Sequence, residues 1–375
     1  MPWESPASFC RLWFALAALF FTAVSACAAT TQPATKPAIF ELSFATPDQA
    51  RAAIVDETAE PYFKLLQPIE MAAKTGSPVP GQNLAEQQDN CRKRYQDAVQ
   101  DFTPAEKQAI GWYVSKLAAY TYPTYPLLAT MPWKFIKLSP EIEGDNPFTR
   151  GGYICLPNDV TDGMVKEEIN SELSKSDWLA MVRYGQVLLH EQMHVIQRAN
   201  PVLFAKFYTD IWGFTHAASI PPDPWLVDHQ MLDPDAVDQR WVYPLNNGQN
   251  VRWIWPLAIM PDVANPGGPR FADMEMVAVD VKPGANGAFD VRLAQNNLPA
   301  MTKLLNVMGF VAKFAPSGEV FHPNEASADL FAHVTLVLDV LPDMAPPVAA
   351  GALQKARVQF KPLHDEFVTL LSGKK

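Results

Sequence analysis

Residues 187–197 read VLLHEQMHVIQ and place His190, Glu191 and His194 in the pattern H-E-x-x-H. The surrounding residues predict a helix from about Asp177 to Ala199, and side chains four positions apart on a helix lie one turn apart on the same face. Two imidazoles at this spacing can bind one Zn²⁺ through nitrogen, at about 2.0–2.1 Å. Glu191 lies between them, where its carboxylate can act as a general base without binding the metal. This stretch therefore predicts a zinc site, although histidines on a partly apolar helix more often belong to the core or the surface.

A third zinc ligand has to come from elsewhere, because catalytic zinc takes three protein ligands and a water molecule. The extension H-x-x-G-x-x-H is absent after His194, where the sequence reads VIQRAN. The best candidate is Glu325 in HPNEASADLFAHV, a stretch that is typical of the start of a helix. Glu325, Asp329 and His333 fall four apart on one face of an otherwise apolar helix, which is costly unless they are satisfied. We expect Glu325 to bind the metal and Asp329 to accept a hydrogen bond from a ligand histidine; a solvated helix face is the alternative.

The pair HEQMH and NEASAD resembles the gluzincins, the thermolysin-like zinc metallopeptidases, which carry H-E-x-x-H on one helix and E-x-x-x-D on a second. The resemblance implies His190, His194 and Glu325 as Zn²⁺ ligands, Glu191 as the catalytic base, and Asp329 as the residue supporting a ligand histidine. It also implies a zincin-like fold and the hydrolysis of a peptide or protein substrate. The segment between the two motifs is much longer than in the thermolysin type. HPNEASAD is similar, in addition, to a pattern in bacterial zincin-like proteins of unknown role.

Hydrolysis of an amide also needs a donor that stabilises the oxyanion together with the metal. Four side chains are available for this role: His216, His229, Tyr243 and His333. His229 and Tyr243 are candidates because they lie in a lobe that can roof the cleft; a surface histidine and a core tyrosine are the alternatives. Three tryptophans of that lobe either line a substrate groove or, more commonly for an aromatic cluster, belong to the core: Trp241, Trp253 and Trp255.

The composition of the chain excludes several classes of protein and of partner. The 375-residue chain is 48% hydrophobic and 19% charged, which is typical of a globular protein rather than a fibrous or disordered one. A net charge of −10, with no basic stretch interleaved with aromatic residues, argues against nucleic acid as a partner. P-loop, G-x-S-x-G and C-x-x-C motifs are absent, so nucleotide binding, serine hydrolysis and thiol redox chemistry lack their usual signals.

The pattern of elements predicts an α+β protein, mostly helical, with a small edge sheet and an inserted β-containing lobe. A capping box at Thr103 to Glu106 predicts a helix to about Tyr120, and residues 133–138 and GGYICL, 151–156, predict strands, the second at the edge of the cleft. We divide the chain into a signal peptide 1–26, a tether 27–46, an N-terminal helical region 47–130, an active-site subdomain 131–215 with HEQMH, a Pro/Trp-rich β lobe 216–300, and a C-terminal helical subdomain 301–375 with NEASAD.

The N-terminal residues predict export. Residues 12–26, LWFALAALFFTAVSA, are too short to span a membrane comfortably but fit the apolar core of a signal peptide. VSAC, which ends at Cys27, resembles a bacterial lipobox, so we expect lipidation of Cys27; cleavage after Ala26 or Ala29, giving a secreted protein, is the alternative. The protein is then a cell-envelope lipoprotein that contacts the membrane only through its N-terminal lipid anchor, or a secreted protein.

Two further cysteines, Cys91 and Cys155, remain after Cys10 and Cys27 are set aside. In an oxidising compartment we expect them to form one disulfide, worth a few kcal/mol; two buried free thiols are the alternative. The predicted function is that of a zinc-dependent metallopeptidase. The alternatives are an envelope lipoprotein that binds without catalysis on a zincin scaffold, and a zinc amidase acting on cell-wall or other non-peptide amides.

Overall fold

The computed structural model describes residues 40–167, 175–221, 223–246, 248, 250–262, 268–344 and 346–373. The predicted signal peptide, the lipobox with Cys27 and most of the predicted tether lie outside the described residues. Within the described residues, no helix combines the length and the apolar character needed to cross a bilayer.

The first sheet has five strands: β1 Leu42–Phe44, β2 Val99–Gln100, β3 Trp133–Leu138, β4 Phe148–Arg150 and β5 Tyr153–Pro157. Their order is β1-β3-β5-β4, with β2 paired to β3. The strands β1 and β5 run parallel to β3, whereas β4 is antiparallel to β5 and forms one edge of the sheet. The predicted end of the tether at residue 46 is therefore wrong, because Leu42 and Phe44 already pack against the core.

The edge strand is β4, not the GGYICL strand that the sequence suggested. Gly151, in the left-handed region at φ 56°, reverses the chain between Arg150 and Tyr153. The strand β5 is thereby enclosed between β3 and β4. Three residues, Phe148–Arg150, are too few to show the alternation from which a strand is predicted.

Four helices form the N-terminal region: α1 Pro47–Ile54, α2 Pro68–Lys74, α3 Leu84–Asp97 and α4 Pro104–Thr121. The capping box predicted for α4 is confirmed. The backbone N–H of Thr103 donates to Glu106 Oε2 at 2.7 Å, and the N–H of Glu106 donates to Thr103 Oγ1 at 3.3 Å. These bonds satisfy backbone donors that a helix start leaves without a partner.

The predicted disulfide is wrong, since Cys91 and Cys155 are buried free thiols. Cys91 on α3 and Cys155 on β5 lie in one apolar cluster together with Phe63, Ile136 and Phe148, where each thiol packs as a small apolar side chain. Burial raises the pKa of Cys91 to about 12, and it raises the pKa of Cys155 well above its usual value. Both thiols are therefore protonated and unreactive.

Four further helices lead to the second sheet: α5 Asn158–Lys166, α6 Lys175–Ala180, α7 Gln186–Ala199 and α8 Pro201–Asp210. The helix predicted from Asp177 to Ala199 is interrupted by a π-helical turn, Met181–Gly185, immediately before α7. The HEQMH motif lies in the regular helix α7, as expected. Asn200 and Pro201 separate α7 from α8.

The second sheet has seven strands: β6 Thr215–His216, β7 Gln230–Met231, β8 Trp241–Asn246, β9 Val251–Ile259, β10 Glu275–Pro283, β11 Phe289–Val291 and β12 Met301–Lys303. The order is β11-β10-β9-β8-β6, with β12 paired to β10 and β7 to β9. All of these strand pairs are antiparallel. One face of the sheet has a separate apolar cluster, which includes Val277, Val279 and Leu257. The short helix α9, Pro224–His229, precedes β7.

Four helices complete the chain: α10 Met308–Phe314, α11 Pro323–Thr335, α12 Leu341–Met344 and α13 Ala350–Leu370. The predicted C-terminal helical subdomain, 301–375, begins with a strand, because residues 301–303 pair with β10 and the next α-helix begins at Met308. The helix α11 packs against α7, and its residues Ala326 and Ala328 are buried. The predicted α+β class is confirmed.

A polar contact ties α13 to the π-helical turn Leu336–Val340 that follows α11. His364 Nε2 lies 3.1 Å from both carboxylate oxygens of Asp339, and Tyr125 donates to the same carboxylate at 2.8 Å. Asp365 lies 3.7 Å from the other ring nitrogen. The bond to Asp339 raises the pKa of His364 above its usual value, so its charged form stabilises the fold.

We predict that His364→Phe destabilises the protein by about 1–2 kcal/mol at about pH 5 and by less at about pH 9. A raised pKa in the folded state gives stability that is complete below the unfolded pKa and is lost as the pH rises through the folded pKa. Urea unfolding at the two pH values measures the difference. His364→Gln also removes the titratable group, so its destabilisation should fall between the two pH values by the same amount, but it should be smaller than that of His364→Phe at both because the amide keeps a donor to Asp339. A His364→Phe effect that is equal at both pH values would contradict the prediction.

Candidate metal centre

Three side chains from α7 and α11 bring their donor atoms together. His190 Nε2 and His194 Nε2 are 3.0 Å apart, and Glu325 Oε2 lies 3.4 Å from the first and 3.3 Å from the second. Atoms bound tetrahedrally to one zinc ion at about 2.0–2.2 Å would be about 3.3–3.5 Å apart. The spacing in the structure is close to this value, so the three residues expected to act as ligands can hold one ion.

The two helices place these side chains for different reasons. His190 and His194 are one turn apart on α7, as the spacing requires. Glu325 lies in the first turn of α11, whose start is capped by His322: the N–H of Asn324 donates to His322 Nδ1 at 3.1 Å. His322 Nε2 in turn bonds the carbonyl of Asp238 at 2.9 Å. Burial lowers the pKa of His322 to about 4, so the cap is neutral.

Gln197 fixes the tautomer of His194. Its Nε2 donates to the Asn324 carbonyl at 3.0 Å and to Ser327 Oγ at 2.8 Å. A carbonyl only accepts, so the amide oxygen of Gln197 must face His194 Nδ1, which lies 2.7 Å away. That oxygen also only accepts, so Nδ1 carries the proton. In the neutral ring the lone pair is then on Nε2, the atom that faces Glu325.

The charges around the cluster fit a cation. Although burial alone would raise the pKa of Glu325, His194 and His190 hold it well below its usual value. Although burial alone would lower the pKa of His190, the surrounding carboxylates, Glu325 first, raise it well above its usual value. Glu325 is 3% exposed, and its second oxygen, Oε1, is buried without a hydrogen-bond partner among the described residues. A buried carboxylate and two imidazoles are a donor set suited to Zn²⁺.

Glu191 is buried beside the cluster and is held by the edge strand β4. The hydroxyl of Thr149 donates to Glu191 Oε2 at 2.8 Å and is 3.2 Å from the Glu191 carbonyl. Burial, followed by the nearby Asp235 carboxylate, raises the pKa of Glu191 to about 7, against the lowering effect of the two histidines. A carboxylate with this pKa can both take and release a proton near neutral pH.

Asp235 holds the edge strand in turn. Both of its carboxylate oxygens accept from the backbone N–H of Thr149 at 3.0 Å, and one also accepts from Arg198 at 3.1 Å. The Asp235 carbonyl accepts from Asn324 Nδ2 at 3.1 Å. This one residue, from the segment before β8, is therefore bonded to β4, α7 and α11.

Asp329 does not take the place that the resemblance implies. Its carboxylate accepts from Gln186 Nε2 at 3.3 Å and from the backbone N–H of Gly318 at 2.9 Å. The imidazole hydrogen of His194 goes to Gln197 instead. The expected bond between Asp329 and a ligand histidine is not among the bonds of its carboxylate, which go to Gln186 and Gly318, and the acceptor for His194 is Gln197, one turn further along α7.

His229 and Tyr243 are engaged elsewhere. His229 Nδ1 bonds the Trp225 carbonyl at 2.8 Å, and Nε2 bonds Asp262 at 2.9 Å, so both ring nitrogens have partners. Tyr243 is buried in an aromatic cluster with Phe214 and Phe310. These contacts leave His229 without a free donor and make Tyr243 a core residue, so the structure does not support either as an oxyanion donor.

His333 and His216 are not brought to the cluster either. The His333 ring packs edge-on against Phe360 of α13, with ring centroids 5.0 Å apart. His216 Nε2 bonds Asp238 at 2.8 Å. The three tryptophans of the second sheet also have partners away from the cluster: the Trp255 indole donates to the Gln239 carbonyl, Trp241 packs against Tyr208 of α8, and Trp253 packs against Phe289 of β11.

Three residues at the centre were not predicted: Gln197, Thr149 and Glu319, whose carboxylate lies 3.7 Å from His190 Nε2. Gln197 could have been found, because a polar residue one turn after His194 on a buried helix needs a partner. Thr149 and Glu319 lie outside any motif, and only the folded chain brings them near. Comparisons of the chain with models of protein families, with curated proteins and with solved structures found no match.

We predict that Gln197→Ala weakens Zn²⁺ binding by about 10- to 100-fold, because His194 loses the acceptor that orients its ring. Competition with a chromophoric chelator measures the affinity. Gln192→Ala is the matched control, since Gln192 is buried on the same helix but bonds the carbonyls of Met131 and Pro132. Equal losses in both variants would show that Gln197 has no specific role.

Proposed function

We propose that this protein is a zinc-dependent hydrolase that cleaves amide bonds in peptide or protein substrates. The observation that carries the proposal is the convergence of His190, His194 and Glu325 on one point, with Glu191 buried next to them. The resemblance of HEQMH and NEASAD to the gluzincin motifs supports the same class of enzyme.

In the proposed reaction, the metal ion and the residues of the chain have different roles. A bound zinc ion would supply Lewis acidity, which lowers the pKa of water to about 7 and polarises a carbonyl. Glu191 takes the proton of the attacking water and passes it to the leaving amine. The Thr149 hydroxyl occupies Glu191 Oε2 and fixes the carboxylate, so that the proton is exchanged at the other oxygen.

A zinc-binding protein without hydrolytic activity is the second candidate. Two observations favour it. The side chains predicted to stabilise an oxyanion are bonded elsewhere, and the outward N–H of Thr149 on the edge strand is already occupied by Asp235. A peptide added to β4 as a further strand would have to compete with that carboxylate.

We propose in addition that the protein is exported, either as a lipoprotein anchored through Cys27 or as a secreted protein. The apolar run at 12–26 and the VSAC sequence that ends it support this location. Its substrates would then be peptides or proteins of the cell envelope or its surroundings.

We predict that Glu191→Gln keeps about one zinc ion per chain and loses hydrolysis by about 10²- to 10⁴-fold, because the amide cannot accept the proton of water. Metal analysis and mass spectrometry of a digested peptide library measure the two properties. Glu41→Gln, at an exposed position next to β1, controls for the loss of one charge. Unchanged cleavage in Glu191→Gln would remove Glu191 from its role. A wild-type protein that binds zinc but cleaves no peptide would favour the second candidate.

We predict that Thr149→Val lowers kcat by about 10-fold with little change in KM or in zinc content, because Glu191 keeps its charge but loses the bond that orients it. Steady-state kinetics on a peptide found in the library measure both constants. Thr149→Ser keeps the hydroxyl and should restore kcat. If Thr149→Ser is as slow as Thr149→Val, the hydroxyl is not the cause.

A further inference from the structure

A fourth side chain, the acidic Glu319, lies at the exposed side of the candidate metal centre. Glu319 belongs to the segment between α10 and α11, and its Oε2 is 3.7 Å from His190 Nε2. The side chain is 51% exposed, in contrast to the 3% exposure of the Glu325 side chain. Glu319 is therefore the one of the two carboxylates near His190 that can move into solvent.

The fold holds the backbone on either side of Glu319. The N–H of Gly318 donates to Asp329 Oδ2 at 2.9 Å, and the N–H of Glu319 donates to Ser317 Oγ at 3.1 Å. Asp329 lies one turn after Glu325 on α11. The helix that supplies the buried ligand thus also fixes the segment that carries the exposed carboxylate, which explains why Asp329 is bonded here rather than to a histidine.

The charges of His190, His194, Glu325 and Glu319 are compatible with a bound cation. Glu319 and Glu325 both face His190, and the repulsion between like charges at this spacing is relieved either by a proton on Glu319 or by a cation between the two carboxylates. Among the ion pairs of the described residues, neither carboxylate has a lysine or arginine partner. In the protonation state that binds a metal, with both imidazoles neutral and both carboxylates ionised, the four side chains would carry a charge of about −2, which one divalent ion balances.

We propose that Glu319 is a fourth protein ligand of the ion held by His190, His194 and Glu325. This inference rests on the proposed zinc site. Catalytic zinc keeps one position for water or substrate, whereas structural zinc is closed by four protein ligands. With Glu319 bound, the ion would have four protein ligands; because this side chain is half exposed, it can turn into solvent, and the ion would then have a position for water or substrate.

The test compares wild type, Glu319→Gln and the charge control Glu41→Gln. Zn²⁺ affinity is measured by chelator competition, and the number and kind of ligands by the visible absorption of the Co²⁺-substituted protein. We expect Glu319→Gln to bind Zn²⁺ at least about 10-fold more weakly and to change the Co²⁺ spectrum, with Glu41→Gln matching wild type in both. Glu319 is half exposed, and thermal unfolding checks that its variant folds.

The possible results distinguish a failure of Glu319 as a ligand from a failure of the zinc site itself. If wild type binds Zn²⁺ and Glu319→Gln matches it in affinity and Co²⁺ spectrum, Glu319 is not a ligand and the zinc site stands. If wild type binds Zn²⁺ no better than His190→Ala, the zinc site fails and the inference fails with it. A weaker affinity and an altered spectrum in Glu319→Gln alone support the fourth ligand.

Discussion

The contact on which the whole arrangement depends is the packing of α11 against α7, because it brings a buried carboxylate to within 3.4 Å of two imidazole nitrogens. A carboxylate that is 3% exposed is costly unless a positive charge faces it. Glu325 has no lysine or arginine partner among the described residues, so the imidazoles and whatever they bind must balance it.

The segment that precedes β8 supports the centre from the side. Asp235 bonds Thr149 on the edge strand, Arg198 on α7 and Asn324 at the start of α11. His322 bonds the carbonyl of Asp238 in the same segment. The second sheet thereby contributes to the position of Glu191 and of Glu325, although none of its own strands supplies a side chain to the cluster.

The helix that carries His190, Glu191 and His194 could be predicted from the sequence, because their spacing is local and one helical turn determines it. Glu325 could be predicted because a polar residue at the start of an apolar helix needs a partner. The residue that orients His194 could not be predicted, because whether its ring bonds Asp329 or Gln197 depends on how far each side chain reaches between the two helices. The sequence placed GGYICL at the edge of the sheet, whereas the edge strand is β4. The turn at Gly151 determines this order, and the composition of the strands does not show it.

The most direct measurement is a crystal structure of zinc-loaded protein with anomalous diffraction data collected on both sides of the zinc absorption edge. We expect one strong anomalous peak about 2.0–2.2 Å from His190 Nε2, His194 Nε2 and Glu325 Oε2. A peak at any other place in the chain, or none between these three atoms at full zinc occupancy, would contradict the proposed site.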